Sequence, residues 1–275
     1  MRVATVVAAS ILAMSFTLQP SFAKPVTSDD LVKAQENAGE WLTYGRNYRN
    51  WRYSPLSEIT PDNAAKLAPV WAMSTGGQFG GLEATPLFRD GVLYFTADYA
   101  RTFAVDAKSG SIIWRYEPEY EQGFNAVLCC GPISRGLALK DDLVIVARLD
   151  SRLVALNRAD GKVAWEAKID DWKNGVTTNS APLIVKDHVI IGVSGGEYGV
   201  RGYLKSFNAK TRARMADLHD PRSRRTGKRD LAQGRQLETG RRSDLADRQL
   251  RRGHEHALLG HRQSGIVAGR HTPGR

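Results

Sequence analysis

The amino-acid sequence predicts an all-β protein of the β-propeller class, in which four-stranded sheets dock on one another through tryptophans. Three observations carry the prediction. Ala104, Asp106, Gly110 and Trp114 follow a spacing that recurs at Ala155, Asn157, Gly161 and Trp165, an offset of 51 residues. A sheet-sized unit repeating every 40 to 50 residues is the pattern of a propeller blade. Each copy is preceded by alternating β-branched and aromatic runs around Asp-Gly or Asp-Asp turns, and all 23 aromatic residues fall within the first 211 positions. Such runs read as antiparallel hairpins.

The elements follow in chain order. Met1 and Arg2 precede an apolar run, VATVVAASILAMSFTL, that ends at a small-x-small site before Lys24. Its roughly 16 residues are short of the ~20 that span a bilayer, so residues 1–23 read as a secretory signal peptide. The mature chain is expected to be exported, without a transmembrane segment, and to reside in the periplasm, where disulfides persist. Residues 24–211 hold the blades: TPLFRDGVLYFTAD, then LALKDDLVIVARLDSRLVALN, then APLIVKDHVIIGVSG. Within each repeat the Asp or Asn begins a turn, and Gly supplies a positive φ. The Trp fills the space between neighbouring sheets. His188 sits at a hairpin and reads as structural.

A third copy opens at Ser206-Phe207-Asn208 and then fails, with Arg212 in the glycine slot and Ala216 in the tryptophan slot. Composition changes at the same place. Residues 212–275 hold 16 of the 39 Lys and Arg, five of the six His and no aromatic residue, so they carry +9 of the net +10. The basic character is therefore local, and it does not mark the blades as a nucleic-acid or membrane binder. The genetic code offers a reason. Met215-Ala216 must be ATG-GCN, and reading from the second base gives TGG, a tryptophan within one residue of the missing one. Gly240 to Asp247 permits G-G-G-P-T-W-L in the same frame, and Leu258 to Gly265 permits Y-W-G-T-G-N-P. The tail is thus expected to be out of frame and disordered. The competing reading is an Arg-rich arm that binds nucleic acid or anionic lipid.

Cys129 and Cys130 are adjacent and are the two cysteines of the chain. Consecutive Cα atoms lie about 3.8 Å apart, so a bridge between neighbours closes a small ring and adds almost no loop entropy. Two uses stay open on chemistry alone. The pair is either a flat, polarisable surface for stacking a cofactor or two small apolar groups.

Three segments together resemble the pyrroloquinoline quinone (PQQ)-dependent alcohol dehydrogenases: GEWLTYGRNYRNWRYSPLSEITPDNAAKLAPVW, the LCCGP stretch, and SGGEYGVRG at Ser194 to Gly202. The resemblance covers Gly39 to Thr211. It implies a periplasmic, eight-bladed propeller, of which about three blades stand here. It further implies PQQ and Ca²⁺ on the central axis, oxidation of a small primary alcohol to an aldehyde, and cytochrome c as electron acceptor. Carried over residue by residue, Cys129 and Cys130 would form a vicinal disulfide against one face of the quinone. Arg135 would reach its reactive carbonyl oxygens and Glu83 its polar rim. Ser194, Gly195 and Gly196 would approach its carboxylates, and Glu197 would ligate Ca²⁺. Asn179 stands where the family usually places a cofactor-bonding Thr.

The residue types agree with these roles. A guanidinium keeps its charge and offers several donors to a developing oxyanion, and a carboxylate suits a hard cation. The family's catalytic aspartate falls after the third repeat, so no catalytic residue is assigned to this chain, and turnover by it as written is not expected. A non-enzymatic propeller scaffold of the outer-membrane assembly type is the alternative. It would share the docking repeat but need neither adjacent cysteines nor Glu197.

Overall fold

The computed structural model describes residues 24–77, 81–128 and 130–218. Three sheets follow one another along the chain, each antiparallel with its four strands paired in sequence order. Blade 1 comprises β1 (Leu87–Arg89), β2 (Val92–Thr96), β3 (Thr102–Asp106) and β4 (Ile112–Tyr116). Blade 2 comprises β5 (Leu137–Lys140), β6 (Leu143–Arg148), β7 (Arg152–Asn157) and β8 (Val163–Lys168). Blade 3 comprises β9 (Leu183–Val185), β10 (His188–Gly192), β11 (Leu204–Asn208) and β12 (Arg214–Leu218). His188 opens β10, and its Nδ1 lies 2.8 Å from Ser206 Oγ on the paired strand.

The 51-residue repeat is a repeat of pairing register. Trp114 stands opposite Ala104, Trp165 opposite Ala155 and Ala216 opposite Ser206, with a register shift immediately after each of the three facing residues. The turn before each fourth strand is also shared. Gly110 donates to the Asp106 carbonyl, Gly161 to that of Asn157 and Arg212 to that of Asn208, at 2.8, 2.8 and 2.9 Å. The side chains of Asp106 and Asn208 accept further backbone N–H groups in their turns. All three closing residues have positive φ: 75° at Gly110, 71° at Gly161 and 57° at Arg212.

Docking between sheets uses the same residues. Trp114 donates its indole N–H to the Arg158 carbonyl at 2.8 Å and lies flat beneath Gly161, where a Cβ would come within 2.6 Å of the ring. Trp165 likewise donates to the Ala209 carbonyl of blade 3 at 2.9 Å. Trp71, which stands outside the 51-residue spacing, does the same to blade 1, through Ala107 at 3.0 Å and against Gly110, where a Cβ would come within 2.5 Å of its ring. All three tryptophans therefore use a carbonyl one sheet away, and Trp71 and Trp114 also lie against a bare glycine.

Arg212 occupies a glycine position with a side chain that has no preference for positive φ. A left-handed backbone costs a non-glycine residue about 1–2 kcal/mol, partly offset by the extra freedom glycine has when unfolded. Arg212→Gly is therefore expected to raise unfolding stability by about 1 kcal/mol, read as a higher urea midpoint with unchanged slope. The expected division at Arg212 falls inside blade 3, because β12 pairs with β11 through main-chain groups that require no particular side chain. The remainder of the basic tail and the leader 1–23 lie outside the described residues.

The N-terminal segment straps the turns at one end of the sheets. A capping box joins Thr27 and Asp30 at the start of α1 (Ser28–Val32). Val26 bridges Asp141, Trp41 bridges Phe88, and Arg158, 1% exposed, holds the Lys24 carbonyl at 2.6 Å. Among the described residues no helix is long and apolar enough to cross a membrane.

Candidate cofactor and metal site

Antiparallel order places two kinds of loop at the same end of every blade: those joining the second strand to the third, and those joining one sheet to the next. Residues 97–101, 117–136, 149–151, 169–182 and 193–203 are these loops. Arg135, Asn179, Ser194, Gly195, Gly196 and Glu197 all sit on them, with Glu83 on the entry to β1. The topology thus gathers residues more than one hundred positions apart.

A chain of contacts joins three blades. Arg135 Nε lies 3.1 Å from Glu83 Oε2, with both side chains about two-fifths exposed, at 39% and 42%. At that exposure the pair orients its members more than it stabilises the fold. The Arg135 backbone N–H donates to the Asn179 carbonyl at 2.8 Å, and Ser194 Oγ donates to Asn179 Oδ1 at 3.3 Å. Ser194 and Thr177 exchange backbone hydrogen bonds as an isolated bridge. Asn179, marked by the sequence as a departure, is therefore the joint between the Arg135 loop and the Ser194 loop.

The two glycines after Ser194 differ sharply. Gly195 is buried at φ 122°, and a Cβ there would lie 2.1 Å from the Gly175 carbonyl oxygen. Gly196 has nothing within 4 Å of such a Cβ. Gly195 thus serves a close crossing of backbones, and Gly196 is the one that leaves main chain open to a ligand. Glu197 follows on a short helical turn, Gly196–Tyr198, and is exposed. Among the described residues no group of three or more His, Cys, Asp and Glu gathers to hold a metal. Glu197 stands there as a single carboxylate on its loop.

The cysteine segment is anchored from beneath by aromatics. Tyr120 and Phe124 stack at 4.6 Å, and Phe124 meets Trp172 edge-on at 5.7 Å. Tyr120 donates to the Tyr99 carbonyl at 2.7 Å, under the Arg148 guanidinium 5.0 Å away. Burial pushes the Tyr120 phenol well above its usual range, so it stays a neutral donor. Burial also raises the Asp150 carboxyl, against the pull of Arg148 and Arg152. The aromatic run from Tyr116 to Phe124 was the signal for this anchor. Cys130 is exposed at the end of the segment. Cys129, and with it the expected vicinal disulfide, lies outside the described residues.

The rim fits a flat anion bearing carbonyl and carboxylate oxygens. Arg135 supplies a cation with several donors, Gly196 exposes backbone, Ser194 carries a hydroxyl, and Glu197 is available to a hard cation.

Comparison with known proteins gives the same picture. Residues 41–240 match the model of the glucose/ethanol/alcohol dehydrogenase β-propeller domain of PQQ proteins. The chain is 39% identical over 202 residues to the quinoprotein alcohol dehydrogenase PedH of Pseudomonas putida, covering 73% of this chain and 34% of that protein. It is 43% identical over 187 residues to a 1-butanol dehydrogenase (cytochrome c) of Thauera butanivorans, covering 66% of this chain and 26% of that protein. Among solved structures, a europium-containing methanol dehydrogenase superposes with a TM-score of 0.66 at 36% identity, over 69% of this chain and 33% of that one. The chain spans between a quarter and a third of the length of these relatives.

Proposed function

Because the chain belongs to the glucose/ethanol/alcohol dehydrogenase β-propeller family of PQQ proteins, we propose that it supplies the quinone-binding blades of a PQQ- and Ca²⁺-dependent oxidation of a primary alcohol to an aldehyde. The observation that carries this reading is the contact chain Glu83–Arg135–Asn179–Ser194, which ties the rims of three blades beside the cysteine segment and Glu197. PQQ, when bound with its metal, supplies a two-electron acceptor. Arg135 holds a fixed positive charge where negative charge develops on a carbonyl oxygen. Glu83, paired with that guanidinium, would orient it and reach the quinone's polar rim. The open backbone at Gly196 would offer a donor to a carboxylate, the Ser194 hydroxyl would reach one by turning from Asn179, and Glu197 would give one oxygen ligand to Ca²⁺. A vicinal disulfide of Cys129 and Cys130, part of the proposal, would form one wall of the slot.

Export by the leader 1–23 to the periplasm and electron transfer to a cytochrome c complete the proposal. The similarity to the 1-butanol dehydrogenase (cytochrome c) of Thauera butanivorans supports the second. The adjacent cysteines and Glu197 favour this reading over a scaffold propeller, which has no use for either. The proton acceptor for the alcohol is not among the residues assigned here, so the chain as written is expected to bind quinone without turnover.

Titration of the full chain with PQQ, in Ca²⁺ or in La³⁺, tests the proposal. Metal-dependent quinone uptake is the expected result, and Glu197→Gln should weaken it about tenfold and remove the dependence on metal, as expected for loss of a charged ligand. No uptake with either metal would overturn the reading, and robust dye-linked alcohol oxidation would overturn the absence of a base.

A further inference from the structure

Glu197 and the cysteine segment belong to different loops, 193–203 and 117–136. Tyr198 spans the gap. Its phenol donates to the Ala126 carbonyl at 3.0 Å, three residues before Cys129, while its backbone follows Glu197 directly. The base of the side chain is equally constrained. A Cβ at Gly175 (φ 78°) would lie 2.6 Å from Tyr198 Cβ, and the Tyr198 backbone N–H donates to the Gly195 carbonyl at 2.9 Å. At its far end Ala126 lies in the short helical turn Phe124–Val127, which is pinned by the Tyr120–Phe124–Trp172 cluster. A planar ring with two rotatable bonds is thus held at both ends, between a loop of blade 3 and a turn in the connection from blade 1 to blade 2.

We propose that Tyr198 is a positioning residue that fixes the separation between Glu197 and the cysteine-bearing segment, and so the width of the slot that takes the quinone. The inference rests on the functional reading above for the identity of the ligand. The clamp itself rests on the contacts alone. Its physical basis is that a rigid supporting contact sets a ligand group in place before binding, so that binding does not have to order it.

Tyr198→Phe keeps the ring against Gly175 and deletes the bond to Ala126. Tyr198 is 45% exposed, so the blades are expected to stay folded, with unchanged tryptophan emission. Amide hydrogen exchange of residues 124–133 in the quinone-free chain should accelerate roughly fivefold, the equivalent of one ordinary hydrogen bond, while β2 and β3 are unaffected. With Ca²⁺ present, quinone affinity should fall by a similar factor and the absorption spectrum of the bound quinone should shift, a readout that a purely structural contact would not move. Unchanged exchange overturns the clamp. Faster exchange with unchanged quinone affinity and spectrum overturns its role in the slot. If the wild-type chain takes up no quinone, the functional reading fails, and exchange alone decides whether Tyr198 joins the two loops.

Discussion

Gly161→Ala is expected to cost about 3 kcal/mol of unfolding stability, whereas Gly91→Ala costs about 1 kcal/mol, although both glycines have similar backbone angles. Gly161 has φ 71° and Gly91 has φ 80°, so left-handed strain contributes comparably at the two sites. The difference lies in what a methyl group meets. At Gly91 there is nothing within 4 Å, and at Gly161 there is the Trp114 ring at 2.6 Å. Trp114 cannot retreat, since its indole N–H is bonded to the Arg158 carbonyl and its ring is only 7% exposed between two sheets. Either the ring tilts and forfeits that bond or the blades separate, and both lose buried apolar contact. Small domains hold roughly 5–15 kcal/mol in total, so the Gly161 loss is large enough to shift a urea midpoint well outside error. Equal losses at the two sites would show that the tryptophan does not dock as described.

The blades were legible in sequence because their determinants are local and repeat. Register, bulge and turn are each fixed by residues within a dozen positions, so the spacing from Ala104 to Trp114 and from Ala155 to Trp165 carried the fourth strand, the glycine turn and the docking tryptophan together. Trp71 escaped that reading because no strand of its own precedes it, and its role shows only in the carbonyl and glycine it meets on blade 1. The site residues were reached by a different route. Arg135, Ser194 and Glu197 came from the family resemblance, and the structure shows Arg135 and Ser194 joined. What sequence could not give is the joint itself. Asn179 acts with its backbone carbonyl toward Arg135 and its side chain toward Ser194, and the first of these roles leaves no trace in residue type. Tyr198 was likewise hidden, since a tyrosine in a glycine-rich loop does not announce which carbonyl, 72 positions away, it will reach. The third repeat shows the converse: the backbone at Arg212 and Ala216 keeps blade geometry where the residue types have lost it.

Gly195→Ala is expected to abolish metal-dependent quinone uptake, and Gly196→Ala to leave the fold untouched while weakening uptake only in part. The two adjacent glycines were read as one feature, a pair that lets backbone approach the cofactor's carboxylates. The structure divides them. Gly195 is buried with φ 122°, a region that side chains other than hydrogen rarely enter, and its Cβ would sit 2.1 Å from the Gly175 oxygen. That contact is backbone against backbone, so no side chain can swing aside to relieve it. The loop would have to move away from residue 175, taking with it the Tyr198 side chain that packs there and the Glu197 carboxylate between them. The expected cost is about 3 kcal/mol or more, concentrated in the loop, which then no longer presents the Glu197 carboxylate in the same place. Blade 2 should be unaffected, because the crossing lies outside its four strands. Gly196 has open space, so a methyl group there is free of clash in the empty site and meets only an incoming ligand. Thermal unfolding and quinone titration on the two variants separate the roles. If Gly195→Ala retains wild-type uptake, the crossing does not support the loop, and if Gly196→Ala binds quinone as tightly as wild type, the ligand does not approach the chain at that residue.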